Sequence, residues 1–154
     1  MKYVIDLNVI WYAWTGIGDH GRPDPNCAAL LLMIQRTCER VIVTDEINKA
    51  YLELFKRLKD KYPQGPKLLL FSTLYFRWKQ AKKVDDTRLS RDVPLLGNES
   101  EIHEEDRKYV RLAKLTNAVL VTNEHDLIRL SSELGYTAMN PSDVLTINAK
   151  SKSG

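Results

Sequence analysis

Residues 104–127 read EEDRKYVRLAKLTNAVLVTNEHDL, and the change of period within this stretch decides the fold. Ile102, Tyr109, Val110 and Ala113 recur at helical spacing and predict an amphipathic helix over 102–115. Residues 118–121 then form a short unbroken apolar run, as in a strand buried on both faces. Helical patterning returns over 124–134. Helix, buried strand and helix in direct succession point to a parallel sheet covered on both sides.

The same alternation continues in both directions. Upstream, Tyr3, Val4 and Ile5 make an apolar strand ending at Asp6, and residues 7–14 follow at helical spacing. Residues 15–26, TGIGDHGRPDPN, concentrate turn formers and predict a loop. A helix over 25–40 leads to a second buried strand at 41–43. Thr44 is placed to cap the next helix, whose first turn holds Asp45 and Glu46 and whose apolar stripe includes Ile47, Tyr51, Leu54 and Leu58. YPQGP at 62–66 is a break, 67–83 predict another helix with a basic end, and 84–100 predict a loop. Downstream, 136–138 predict a short strand, 141–145 a closing turn and 148–154 a frayed tail. The expectation is one α/β domain over residues 1–147, a three-layer α/β/α sandwich around a mainly parallel central sheet, followed by a flexible tail at 148–154.

A chain of 154 residues, 44% hydrophobic and 28% charged, can bury a core without disulfide or metal staples. Those proportions exclude a disordered segment, a collagen-like rod and a disulfide-knotted module. No apolar run approaches the roughly 20 residues of a membrane span. The opening MKYVIDLNVIWYAW carries an aspartate inside its apolar stretch and no cleavage site after it, unlike a signal peptide. A soluble, cytoplasmic protein with no membrane partner is expected. Cys27 and Cys38 fall about 16 Å apart along one expected helix, beyond disulfide reach, and are expected as core thiols.

The net charge of +3 conceals two opposed blocks. Residues 56–91 hold eleven Lys/Arg against three Asp, while 92–106 hold six acids and no Lys or Arg. Such runs are often plain solvated helix faces. They could equally be a phosphate-binding surface beside a metal-binding one.

In open parallel sheets, ligands gather at the carboxyl ends of the strands, and here an acid stands at each expected strand end. Asp6 closes the first strand, Glu46 opens the helix after the second, and Glu124 and Asp126 open the helix after the third. Asp106 joins them from the helix over 102–115, where it shares a face with Tyr109 and Val110. A carboxylate on a buried stripe is costly unless paired or bound to a metal. Taken singly, each acid could merely complement a helix N-terminus. Taken together they repel, because no Lys or Arg lies within three residues of Asp6 or within two of Glu46 or Glu124. A divalent cation would join them, and oxygen-only ligation suits Mg²⁺ or Mn²⁺ rather than zinc. His20, His103 and His125 have no zinc-motif spacing and offer no rival chemistry.

The segments YVIDLNVIWYAW, VIVTDEI, EEDRKYVRLAKLTNAVLVTNEHDL and NPSDVL resemble the PIN domain, the PilT N-terminal nuclease family. Asp6-Leu7-Asn8 matches its first motif, Asp-x-Asn after an apolar strand, and Glu46 matches its second acid. Asp106 with Val110 and Ala113 matches its third motif, and Thr122-Asn123-Glu124-His125-Asp126-Leu127 its fourth. The likeness covers nearly the whole chain; Glu124 stands where the family usually has Asp, and the 56–91 block is longer and more basic than in a minimal member. The resemblance implies a divalent-metal-dependent endoribonuclease that hydrolyses single-stranded or looped RNA. Small stand-alone members are commonly toxins of toxin–antitoxin pairs, so it also implies a VapC-type toxin with an antitoxin partner and a homodimeric assembly.

On that basis Asp6, Asp106 and Glu124 are expected to bind the principal Mg²⁺ or Mn²⁺ ion. Glu46 would help ligate and orient the attacking water, and Asp126 would complete the site or a second metal position. Asn8, Thr122 and Asn123 are expected to fix those carboxylates from behind. Lys79, Lys82 and Lys83 would hold RNA phosphates, beside Tyr75, Phe76 and Trp78 as stacking or core aromatics. The alternative is a catalytically weak PIN domain that serves as an RNA-binding or protein-interaction module. A response-regulator receiver also clusters acids on a parallel sheet, but it needs a lysine after a later strand. Here that strand leads into Thr122-Asn123-Glu124.

Overall fold

A computed structural model describes residues 1–37, 39–65, 81–91 and 99–153, without the side chains of Ser90 and Arg91. Five strands pair in parallel throughout: β1 (Lys2–Ile5), β2 (Arg40–Val43), β3 (Ala81–Lys83), β4 (Val119–Val121) and β5 (Thr137–Met139). Their order across the sheet is β3-β2-β1-β4-β5. The chain winds outward from β1 to β3, then returns to lay β4 on the other side of β1. That reversal puts the switch point between β1 and β4, where Ile5 is in register with Val121.

The central strands are apolar along their length because both faces are covered. Tyr3, Val4, Ile5, Val41, Ile42, Val43, Leu120 and Val121 are all buried. Helices α1 (Leu7–Thr15), α2 (Asn26–Thr37) and α3 (Asp45–Lys61) follow β1 and β2, and α1 packs on both α2 and α3. Thr44 caps α3 as its sequence predicts, its hydroxyl accepting from the Ile47 amide at 3.1 Å. A short helix α4 (Thr87–Arg91) follows β3, and α5 (Arg107–Thr116) packs on β1, β2 and β4. Right-handed crossovers place α5 on the face opposite α1 and α2. After β4 come α6 (His125–Arg129) and α7 (Ser131–Leu134), and after β5 the helix α8 (Pro141–Ser153), which returns to pack on α2. The fold is thus the expected three-layer α/β/α sandwich.

Four local expectations are corrected. Residues 81–83, expected at the end of a helix over 67–83, form strand β3 on the sheet edge, paired with β2 from Val41 to Val43. Their sequence, Ala-Lys-Lys, has no apolar run to announce a strand; charged lysines on an edge discourage pairing with other chains. The rest of that expected helix, residues 67–80, lies outside the described residues, as does Cys38. The expected loop over 84–100 contains α4, while 92–98 are likewise outside.

The helix foreseen over 102–115 starts only at Arg107, after a turn of 3₁₀ helix at Glu104–Asp106. Finally, residues 141–153, expected as a closing turn and a frayed tail, form one continuous helix. Asn140 caps α8, its side-chain oxygen accepting from the Asp143 amide at 2.8 Å, and Pro141 opens it. Val144 anchors it in the core. Among the described residues no helix is long and apolar enough to cross a membrane.

Candidate active site

Three of the expected acids stand just before a helix. Asp6 and Glu124 precede α1 and α6 in extended backbone, whereas Asp106 ends the 3₁₀ turn that runs into α5 and has helical backbone angles. These three line one cleft of about 390 Å³ at the switch point, together with Leu7, Asn8, Glu105, Lys108 and Tyr109.

Asp6 is the buried member, at 4% exposure. The Asp6 amide donates to the Val121 carbonyl at 3.0 Å, which continues the β1–β4 pairing and fixes the backbone. Thr122, fully buried, donates its hydroxyl to Asp6 Oδ2 at 2.7 Å, and the same hydroxyl oxygen accepts from the Glu124 amide at 3.0 Å. One threonine therefore ties the first acid to the backbone of the third. Asn8 and Asn123 form a second tie: Asn8 Oδ1 accepts from the Asn123 amide at 3.2 Å and from its side-chain nitrogen at 3.4 Å. Asn123 also reaches Cys27 Sγ at 3.4 Å. Burial pushes the Cys27 thiol up to about 11, so it is an inert core thiol rather than a nucleophile.

The electrostatics match the geometry. Burial pushes the Asp6 carboxyl up to about 6; the Thr122 hydroxyl opposes this, the charge of Asp106 adds to it, the Leu7 amide opposes and Glu124 adds. Asp106 is also raised, first by burial and then by Glu124, with His103 and Lys108 pulling the other way. The three carboxylates thus act on one another across the cleft. Among the described residues, no three His, Cys, Asp or Glu side chains converge closely enough to enclose a metal ion as they stand. The oxygen-only donor set nonetheless suits a divalent cation in chemistry, with Glu124 exposed on the lining that it shares with the buried Asp6.

The other expected residues are placed differently. Glu46 is exposed at the rim, with Oε1 3.9 Å from Lys108 Nζ. Its amide donates to Asp86 Oδ2 at 3.2 Å. Asp126 does not line the cleft: it is exposed and lies 3.4 Å from Arg129 on its own helix, a pairing at i,i+3 that accounts for it locally. Lys82 and Lys83 are exposed on β3, where Lys83 Nζ lies 2.5 Å from Asp45 Oδ1. Lys79 lies outside the described residues. His125 is exposed, 3.9 Å from Asp19.

Sequence reasoning missed Glu105, Lys108 and Tyr109 as cleft residues and Asp86 as the partner of the Glu46 amide. Lys108 is the consequential one, since it supplies a basic group that no near neighbour of Asp6, Glu46 or Glu124 provides. Its position two residues after Asp106 was the available signal. A larger cavity lies elsewhere, about 880 Å³ along α1 and the end of α3, lined by Trp11, Trp14, Ile17 and Tyr62 among others. Among the described residues, Lys61, Tyr12 and Tyr62 are its ionisable side chains, whereas the acid cleft gathers four carboxylates.

No family model matches the chain, and no curated protein matches it. Among solved structures it is similar to the crystal structure of VapBC2 from Rickettsia felis bound to a DNA fragment from their promoter, with a TM-score of 0.47 and 16% sequence identity over 91% of this chain and 98% of that chain.

Proposed function

We propose that this chain is a divalent-cation-dependent endoribonuclease of the PIN type. The observation that carries the proposal is the cleft at the switch point, where a buried Asp6 held by Thr122 shares one lining with Asp106 and Glu124. Asp6, Asp106 and Glu124 would hold Mg²⁺ or Mn²⁺, which when bound neutralises phosphate charge and lowers the pKa of a water. Asn8, Thr122 and Asn123 hold the backbone and carboxylates in place. Lys108, inside the cleft, offers a cation to a phosphate oxygen, and Glu46 at the rim keeps Lys108 oriented. Asp126, turned to solvent, has no assigned part in the cleft.

The sequence motifs carry the finer proposal: a VapC-type toxin acting on single-stranded or looped RNA in the cytoplasm, held in check by an antitoxin and assembled as a homodimer. Growth arrest on induced expression, relieved by a neighbouring small gene, tests that part. The catalytic part is tested by Asp6→Asn and Asp106→Asn. Both should abolish Mg²⁺-dependent cleavage of an oligoribonucleotide, and unchanged cleavage by either overturns the assignment.

One observation favours the second reading, a catalytically weak RNA-binding or interaction module. Lys108 shares the cleft with the acids, and no three of those acids converge as they stand. Calorimetric titration with Mn²⁺ separates the two, since a degenerate site binds it with no measurable heat.

A further inference from the structure

The acid cleft contains one group that the proposed chemistry does not use. Tyr109 lines it from the first turn of α5, three residues after Asp106, and is 2% exposed. Its hydroxyl is buried and has no hydrogen-bond partner among the described residues. The other buried tyrosines among the described residues place theirs: Tyr3 donates to Met1 Sδ, Tyr51 to the Ile5 carbonyl and Tyr136 to the Leu127 carbonyl. The charges that bear on the Tyr109 hydroxyl belong, in order of weight, to Asp6, Asp106, Glu46 and Glu105. It stands among acceptors and is bonded to none.

A buried donor without an acceptor is expensive, and phenylalanine would fill the same space without that cost. The hydroxyl therefore has its use in another state of the cleft. Asp6 is the matching acceptor: a carboxylate has about four lone-pair directions, of which the Thr122 hydroxyl occupies one while the Leu7 amide bears on the same group, so room for a further donor remains. Each added donor narrows the carboxylate's freedom to turn about its last torsion.

We infer that Tyr109 is a positioning residue for Asp6: in the cation-loaded site the Asp6 carboxylate accepts from Thr122 Oγ1 and Tyr109 Oη together. The inference rests on the reading of this cleft as a divalent-cation site. Groups that orient a ligating carboxylate are typically worth 10- to 100-fold in metal affinity.

Tyr109→Phe removes one oxygen and keeps the ring. In metal-free buffer the variant should melt at the wild-type temperature or above it, because an unpaired buried donor is gone. Its Mn²⁺ affinity, measured by calorimetry on the folded protein, should fall about tenfold. A Mn²⁺ affinity within twofold of wild type overturns the role of Tyr109 and leaves the cation site standing. A folded wild-type protein that takes up no Mn²⁺ overturns the cation site itself, and the Tyr109 role with it.

Discussion

Thr122 Oγ1 donates to Asp6 Oδ2 at 2.7 Å, joining two residues 116 positions apart in sequence at the ends of adjacent parallel strands. Because β1 and β4 are neighbours at the switch point, the residue just past each strand meets its counterpart across the crevice. The bond is fully buried, and its acceptor is ionisable, which places it among the stronger class of hydrogen bonds.

Thr122→Val keeps the shape and removes the donor. Two partners lose it at once, the Asp6 carboxylate and the Glu124 amide. The expected loss is about 2 to 3 kcal/mol of stability at neutral pH, by urea denaturation. The Asp6 carboxyl should also titrate higher than in the wild type, because the donor that favours its charged form is gone. A Thr122→Val protein as stable as the wild type would mean that this bond does not organise the site.

Asp6 carries a pH dependence whose sign follows from its raised folded-state value, about 6 against 3.8 in the absence of the fold. Protonated Asp6 suits the buried site, so its favourable contribution is complete below pH 4 and is lost as the pH rises from there through 6. The swing is about 3 kcal/mol at most. Asp6→Asn should remove that slope and melt higher than the wild type above pH 6 in EDTA. Adding Mn²⁺ should raise the wild-type melting temperature and leave Asp6→Asn where it was. Parallel pH profiles for the two proteins in EDTA would show that Asp6 is not under this strain.

Much of this arrangement is legible in the sequence, and the reason is local. Asp6, Glu46 and Glu124 announce themselves because each follows an apolar run that has to be a strand, and the strand ends define the ligand edge. Thr122 and Asn8 sit in the same short motifs. Asp106 is legible for a less exact reason: it was placed on a buried helical stripe, whereas it precedes the helix and turns into the cleft. The places of Lys108 and Tyr109 in the cleft depend on α5 packing across β1, β2 and β4, which the spacing from Asp106 only hints at. Strand β3 was illegible because an edge strand takes its hydrogen bonds from β2 and needs no apolar pattern of its own. The last helix has only a weak apolar stripe to announce it, and its start is marked by the capping pair Asn140-Pro141.

Lys108 competes with any cation for the carboxylates of the cleft. Its ammonium lowers the Asp106 carboxyl, and it lies 3.9 Å from Glu46 Oε1. Lys108→Met keeps most of the aliphatic stem and removes the charge. Mn²⁺ should then bind roughly three- to tenfold more tightly at low salt, with the gain shrinking as salt is added. Binding of a non-cleavable oligoribonucleotide in EDTA should weaken at the same time. A fall in Mn²⁺ affinity would instead place Lys108 as a support for the acids.

The two described lysines of the proposed RNA surface should not contribute equally. Lys83 is committed to Asp45 at 2.5 Å, whereas no described ion pair involves Lys82. Each lysine that neutralises a phosphate of single-stranded RNA contributes about 0.7 to the slope of log affinity against log salt. Lys82→Ala should therefore reduce that slope by about 0.7, measured by fluorescence anisotropy with a labelled oligoribonucleotide. Lys83→Ala should change it less, and Asp45→Ala, which frees Lys83, should steepen it. Mn²⁺ affinity should be unaffected in all three, because two strands lie between β3 and β4 and none of these residues lines the acid cleft. Equal slopes for Lys82→Ala and the wild type would remove this edge of the sheet from the RNA path.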